Sequence, residues 1–451
     1  MVMRRKITET LRKWSKEDSG ECALLIDGAR RVGKSFIVEE FAKTAYPSYL
    51  MINFKYVGND VKETFNEYLG NLDEFFRRLF LVVGTKPLPK GSLIVFDEVQ
   101  AFPRAREAIK PLVADGRYHY VETGSLISIK KNVEGILIPS EERHVKMYPM
   151  DFEEFLWADG APSLMDAIRD AFSRRESLGS LHRRAMDAFR TYMLVGGMPQ
   201  AVKKHVETRD FDKVDRIKRD ILGLYRDAIV KYAGSNSIKV QRMWDALPAQ
   251  LSRHEKSYNL SDLGSAARMR EYEDPAFWLK DAMICNFCYN ATEPNLGLSL
   301  SADHTTFKCY MADTGLLVSH AFDENELVAE SIHKRLLTGD LSVNEGMLME
   351  NIVAQMLVAS GRKLYFYSRS DPYDRKERME IDFLIAKSRL ARKNNISAVE
   401  IKSGKRVRPA SLRKFQAKFS DYLAEPFLFH AGDLVKTESL ARLPLYMAAC
   451  L

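Results

Sequence analysis

The run Gly28-Ala29-Arg30-Arg31-Val32-Gly33-Lys34-Ser35 has the residue types and spacing to hold a polyphosphate. It follows the apolar stretch Ala23-Leu24-Leu25-Ile26-Asp27 and leads into a helical pattern from Phe36 to Ala42. Glycines at both ends let the backbone curl into a nest of N–H groups, and the positive end of the following helix adds attraction for phosphate. Lys34 then reaches the β- and γ-phosphates of ATP, and the Ser35 hydroxyl is a ligand for Mg²⁺. Residues 28–36 therefore read as a P-loop, and the ordered strand, loop and helix argue against a chance Gly/Lys-rich turn.

Such a loop needs an acidic partner from a neighbouring strand. Ser92-Leu93-Ile94-Val95-Phe96-Asp97-Glu98 is an apolar strand pattern ending in two acids. Asp97 is placed to hold Mg²⁺ and Glu98 to polarise the attacking water. A further strand pattern, Tyr118 to Ser125, carries small hydroxyl residues at the end that faces the ligand crevice of an open parallel sheet. Thr123 or Ser125 is thus a candidate γ-phosphate sensor, with a capped turn as the competing reading.

These runs, together with Val99-Gln100, Thr123-Gly124-Ser125 and Tyr148-Pro149-Met150-Asp151-Phe152-Glu153-Glu154-Phe155, resemble a prokaryotic AAA-type ATPase family whose members carry a carboxy-terminal domain related to the PD-(D/E)XK nucleases. The resemblance implies an α/β fold with a P-loop NTPase parallel sheet and a restriction-endonuclease-like α/β domain, and the residues between them read as a helical lid and a winged-helix module. The expected boundaries are 1–152 for the ATPase core, 153–235 for the lid and connector, 236–325 for the winged-helix module and 326–451 for the nuclease-like domain. Arg143 stands near the place of the family's phosphate-sensing arginine but lacks the glycine that often precedes it, so a surface arginine is the competing reading. Arg226 is conceivable as a trans-acting arginine in a homo-oligomer, beside an ordinary helix-surface role.

The nuclease-like reading rests on four residues. Glu350 lies in a helical pattern from Gly346 to Leu357, Asp382 in the strand pattern Glu380 to Ile385, and Glu400 and Lys402 in Ala398 to Ser403. Glu400 and Lys402 are two apart on a strand and share a face. In such a site Asp382 and Glu400 converge on Mg²⁺ with help from Glu350, and Lys402 positions the hydrolytic water beside a phosphodiester. Lys387, Arg389, Arg392, Lys393, Lys402, Lys405, Arg406, Arg408, Arg413 and Lys414 form a basic cluster around this pattern, with charge suited to DNA. A non-catalytic tail on a nucleotide-gated scaffold is the alternative.

The elements around these groups are read more coarsely. Residues 60–82 show one helical period, and a helix starts near Pro103. Gly196-Gly197-Met198-Pro199 marks a sharp turn between helices. A helix over 238–252 and another opening at Asp274-Pro275, with apolar positions 277, 278, 282 and 285, form the expected helix-turn-helix, though Lys280 is almost its only cation. That reading puts Cys285 and Cys288 in a helix. With His304 and Cys309 they are zinc donors by residue type, but the irregular spacing favours core packing. Asp313 is expected to cap a helix, and 323–342 to form a polar connector.

At 451 residues, the chain exceeds one ordinary core and implies two to four domains. With 46% hydrophobic and 29% charged residues it has a globular composition, and a formal charge of +7 permits nucleic-acid binding without requiring it. Five cysteines give no even disulfide framework, and Met1 to Lys16 lacks the apolar core of a signal peptide. No run approaches the length of a membrane span, so a cytoplasmic location is expected.

Overall fold

The computed structural model describes residues 3–125, 139–253, 257–264, 267–294, 297–322, 330–338, 345–369, 378–386, 395–403, 409–436 and 440–451. Two compact units divide the chain, one of residues 2–148 with 281–283 and one of residues 149–280 with 284–451.

The first unit is a five-stranded parallel sheet. Its strands are β1 (Ala23–Asp27), β2 (Tyr49–Asn53), β3 (Leu93–Asp97), β4 (His119–Gly124) and β5 (Glu142–Lys146), in the spatial order β2-β3-β4-β1-β5. All residues of β1 and β3 are buried, as a parallel sheet covered on both faces requires. The order brings β4 between the two strands expected to carry the phosphate loop and its acid. Helix α1 (Ile7–Glu17) buries Ile7, Leu11 and Trp14, and helix α2 (Lys34–Ala45) follows the loop.

The single helical period over 60–82 resolves into two helices, α3 (Asn59–Glu67) and α4 (Leu72–Val83). Asn71 ends the continuity, because its side chain accepts the Glu74 N–H and caps α4. Val61 and Phe65 of α3 and Phe75, Phe76, Leu79 and Phe80 of α4 pack into one apolar cluster with Phe54 and Phe96. That cluster sets the level of the carboxyl ends of β2 and β3.

A buried ion pair ties β5 into the same unit. Arg106 is bidentate on Glu142, at 2.8 and 2.6 Å, with both side chains almost fully enclosed. Burial raises the Glu142 carboxyl, but the Arg106 and His144 contacts more than offset it and hold the group at about 2. Nearby Glu122 is pushed well above the usual carboxylate range by burial and by the Glu142 charge. Arg106→Met is expected to lower stability by about 3 kcal/mol, because Glu142 is left buried with only His144 against it. Urea unfolding of the variant beside wild type checks this.

The second unit starts with helices Phe152–Ala158, Pro162–Arg174, Leu181–Val195, Pro199–Thr208, Phe211–Tyr232 and Ser237–Ser252. Asp151 opens the first with a reciprocal capping box on Glu154. The Gly-Gly-Met-Pro turn is tight for a steric reason. A Cβ at Gly197 would stand 2.1 Å from the Met150 carbonyl oxygen, and one at Gly315 would stand 2.4 Å from the Val195 carbonyl oxygen. Asp313 binds the Gly197 N–H at 2.6 Å and caps the helix Thr314–Ala321 through the Leu316 N–H, as its expected role requires. Gly197→Ala is expected to cost about 2–3 kcal/mol through this overlap, read as a lowered melting temperature.

Several local expectations are corrected in this unit. The helix Met269–Asp281 begins before Pro275, which lies inside it, and buries Tyr272, Ala276 and Leu279; Phe277 is exposed. Met283, with φ of 56°, breaks the chain direction, so the helical period does not continue to Cys285. Cys285 and Cys288 lie instead on β6 (Cys285–Ala291), and both are buried with Cys309 of β7 (Ala302–Met311); His304 is exposed. All five cysteines are free thiols. Within the expected connector, residues Glu330–Thr338 are helical, and the remaining positions from 323 to 342 lie outside the described residues.

Strands β6 and β7, which fall in the stretch expected as a winged-helix module, belong to a larger sheet. With β8 (Leu364–Arg369), β9 (Met379–Ala386), β10 (Ile396–Ile401), β11 (Phe427–His430), β12 (Val435–Lys436) and β13 (Ala441–Pro444), they make eight strands in the order β12-β13-β11-β10-β9-β8-β6-β7. β6 joins through parallel pairing with β8, so backbone hydrogen bonds cross the expected boundary at 325/326. The helix Glu345–Ala359 is buried almost all round rather than amphipathic, since both its apolar and its amide side chains are enclosed. Lys280 donates to the Tyr289 hydroxyl at 3.1 Å and lies over its ring, so the one notable cation of the expected reading helix is engaged.

Candidate functional site

The phosphate loop runs from the end of β1 to the start of α2. Gly33 has φ of 95° and precedes the helix with no side chain capping its first N–H groups. Those amides stand at the positive end of a twelve-residue helix. Gly28 has no room for a side chain, because a Cβ there would stand 2.3 Å from the Met147 carbonyl oxygen. Ala29 and Val32 are buried, Arg31 is exposed with φ of 69°, and Phe36 is exposed. Buried Arg5 holds the loop from behind, donating to the Val32 and Tyr148 carbonyls at 3.0 and 2.7 Å.

Lys34 is buried and donates to the carbonyls of Gly28 and Ala29 at 2.9 and 3.0 Å. Burial pulls its ammonium down to about 8, against the smaller opposing effects of Glu98, Asp27 and Asp97. Ser35 donates to Asp97 Oδ1 at 2.6 Å, so loop and acid lie on the same side of the sheet. Asp97 also accepts from Asn53 at 2.6 Å and from the Thr123 hydroxyl. Thr123 is placed here because β4 lies beside β3, and its hydroxyl also reaches the Glu98 N–H at 3.5 Å.

Glu98 has φ of 57°, a left-handed conformation uncommon for a side chain of its size. Lys55 lies 2.5 Å from its carboxylate, and Gln100 donates to it at 2.5 Å. Burial raises the Glu98 carboxyl, but Lys55 and Lys34 outweigh that and leave it below its ordinary value. Arg143 is drawn elsewhere, into an exposed ion pair with Asp18 on the far edge strand β5. Arg226 lies 3.9 Å from Asp245.

The second site is wholly within the second unit, in an open cavity of about 350 Å³. Glu350, Asp382, Glu400 and Lys402 all line it, as do Lys308, Glu380, Ser403 and Ser411. Asp382 Oδ2 accepts the Ile401 N–H at 2.7 Å, which fixes its carboxylate against β10. Burial first, and then the Glu350 charge, pushes Asp382 up to about 7. Lys402 is bound to Glu400 at 2.8 Å, and Glu400 Oε2 is buried without a hydrogen-bond partner. Among the described residues, no group of three or more His, Cys, Asp or Glu side chains is placed to hold a metal ion.

Lys308 enters this cavity from β7. It lies 2.9 Å from Glu380, 3.8 Å from Glu350 and 4.0 Å from Asp382. Tyr310, two residues on and therefore on the same face, donates to Glu350 at 3.1 Å. Of the expected basic cluster only Lys402, Arg413 and Lys414 are described; Lys387, Arg389, Arg392, Lys393, Lys405, Arg406 and Arg408 lie outside the described residues.

Residues 21–156 match the family model for the AAA domain. The chain carries a P-loop ATPase domain of the AAA type. Residues 186–326 match a domain of unknown function (DUF8612), and residues 345–446 match another (DUF4143). No curated protein is similar in sequence. Among solved structures, the Walker-type ATPase PABY2304 of Pyrococcus abyssi is 15% identical, with 71% of this chain and 96% of that one covered at a TM-score of 0.40. The signal transduction ATPase with numerous domains (STAND) protein PH0952 of Pyrococcus horikoshii, with a tetratricopeptide repeat sensor, is 10% identical, with 80% of this chain and 48% of that one covered at a TM-score of 0.30.

In the first unit, the residues missed from sequence are Arg5, Asn53 and Lys55. Asn53 stands level with Asp97 in the parallel β2–β3 pairing, so a polar residue at the carboxyl end of β2 was the available signal. In the tail the missed residues are Lys308, Tyr310 and Glu380. The alternation of Lys308 and Tyr310 along β7 was visible, but nothing local tied that strand to Glu350 and Asp382. No helix among the described residues is long and apolar enough to cross a membrane.

Proposed function

We propose that this protein binds ATP through residues 28–36 and hydrolyses it, and that nucleotide state governs the second unit. The observation that carries the reading is the meeting of Ser35, Asp97 and Thr123 beside an uncapped helix start and the buried Lys34. Hydroxyl and carboxylate oxygens are the donors a hard cation takes, so Ser35 and Asp97 suit Mg²⁺. When bound, Mg²⁺ supplies charge neutralisation at the β- and γ-phosphate oxygens. Lys34 contributes a second positive charge, the loop amides orient the phosphates, and Glu98 accepts a proton from the attacking water once its carboxylate leaves Lys55. Thr123, whose hydroxyl donates to Asp97, senses the γ-phosphate in this reading by turning that proton to it.

For the tail, the helix Glu345–Ala359, strands β8, β9 and β10, the helix Ala410–Lys418 and β11 follow in the order a PD-(D/E)XK core requires. This supports the nuclease-like reading, with Asp382, Glu400 and Lys402 as its working residues and DNA as its substrate. The competing reading is a scaffold or regulator with a non-catalytic tail, and Lys308 among the carboxylates favours it. ATP hydrolysis measured with and without DNA tests the coupling. A DNA-stimulated rate supports it; an ATPase rate indifferent to DNA contradicts it.

A further inference from the structure

We infer that the tail cavity carries its own cation. The Lys308 ammonium takes the place a divalent metal would need, and the site is built to stand without one. Sheet alternation commits the Lys308 side chain to the face it shares with Tyr310, and the residue is buried with its ammonium 5.5 Å from the centre of the Phe366 ring. Its ammonium is within 4.0 Å of carboxylates from three positions, Glu350, Glu380 and Asp382. A metal held by Asp382 and Glu400 with help from Glu350 would share Asp382 and Glu350 with this ammonium, and two such cations repel strongly in a partly desolvated site.

The remaining charges point the same way. Among the described residues, the cavity is lined by four carboxylates, Glu350, Glu380, Asp382 and Glu400, and two ammonium groups, Lys308 and Lys402. Glu400 Oε2, buried without a partner, is the oxygen a cation entering the Lys308→Met cavity would find unpaired. This inference favours the non-catalytic tail and stands whether or not the AAA domain turns over ATP.

The test is Mn²⁺ binding to the nucleotide-free full chain, followed by electron paramagnetic resonance and by melting temperature. Wild type and Asp382→Asn are expected to bind Mn²⁺ equally weakly, because Lys308 excludes it from both. Lys308→Met is expected to bind at least about tenfold more tightly and to gain melting temperature with Mn²⁺, with both gains lost in Lys308→Met/Asp382→Asn. Mn²⁺ binding in wild type that disappears in Asp382→Asn would overturn the inference, as would a folded Lys308→Met chain with no gain. Should Lys308→Met fail to fold, Lys308→Gln replaces it, and the wild-type and Asp382→Asn pair still decides.

Discussion

Lys34→Ala is expected to weaken ATP binding by about 10³-fold, since it removes a charged donor from a buried site aimed at the phosphates. The Gly28 and Ala29 carbonyls accept from the lysine and hold it beside the loop. Its low value of about 8 adds a pH dependence. Below pH 8 the ammonium is already charged and affinity is flat. Above it, binding must take up a proton, because triphosphate favours the charged form. Affinity therefore falls as pH rises from about 8, by up to tenfold per pH unit, until the higher value of the bound state is passed. Equilibrium titration from pH 7 to 10 checks both parts: Lys34→Ala should bind weakly and lack this slope.

Glu98→Gln is expected to lower the hydrolytic rate by about 10³-fold while leaving ATP affinity within a few-fold of wild type. The amide keeps the size and the left-handed backbone position but cannot accept a proton. The Lys55 contact makes a separate point, because it holds the carboxylate ionised while engaging the same oxygens a water would approach. Single-turnover hydrolysis with saturating ATP separates the chemical step from binding. A wild-type rate in Glu98→Gln would remove Glu98 from the mechanism.

The AAA domain was legible because each working element is local. Strand, glycine-bracketed loop and helix are contiguous at 23–45, and the acids Asp97 and Glu98 end the strand that carries them. Asn53 and Lys55 were not legible, since they reach Asp97 and Glu98 only through the neighbouring position of β2 and β3. In the tail, Glu350, Asp382, Glu400 and Lys402 do line one cavity, as their types suggested. Lys308 escaped notice because the pairing of β6 with β8, which brings β7 to that sheet, joins residues 76 apart in the chain. The misread helix around Cys285 has a local cause. Pro275 resembles a helix start, yet the helix had already begun at Met269, and the reversal at Met283 has no signature a helical period can show.

The most direct test is calorimetric titration of the full chain with ATP and Mg²⁺, in wild type, Glu98→Gln and Lys34→Ala. One saturable site in the first two, lost in the third, is the predicted result. Undiminished binding in folded Lys34→Ala, or no binding in wild type, would contradict the assignment of residues 28–36 as the nucleotide cradle.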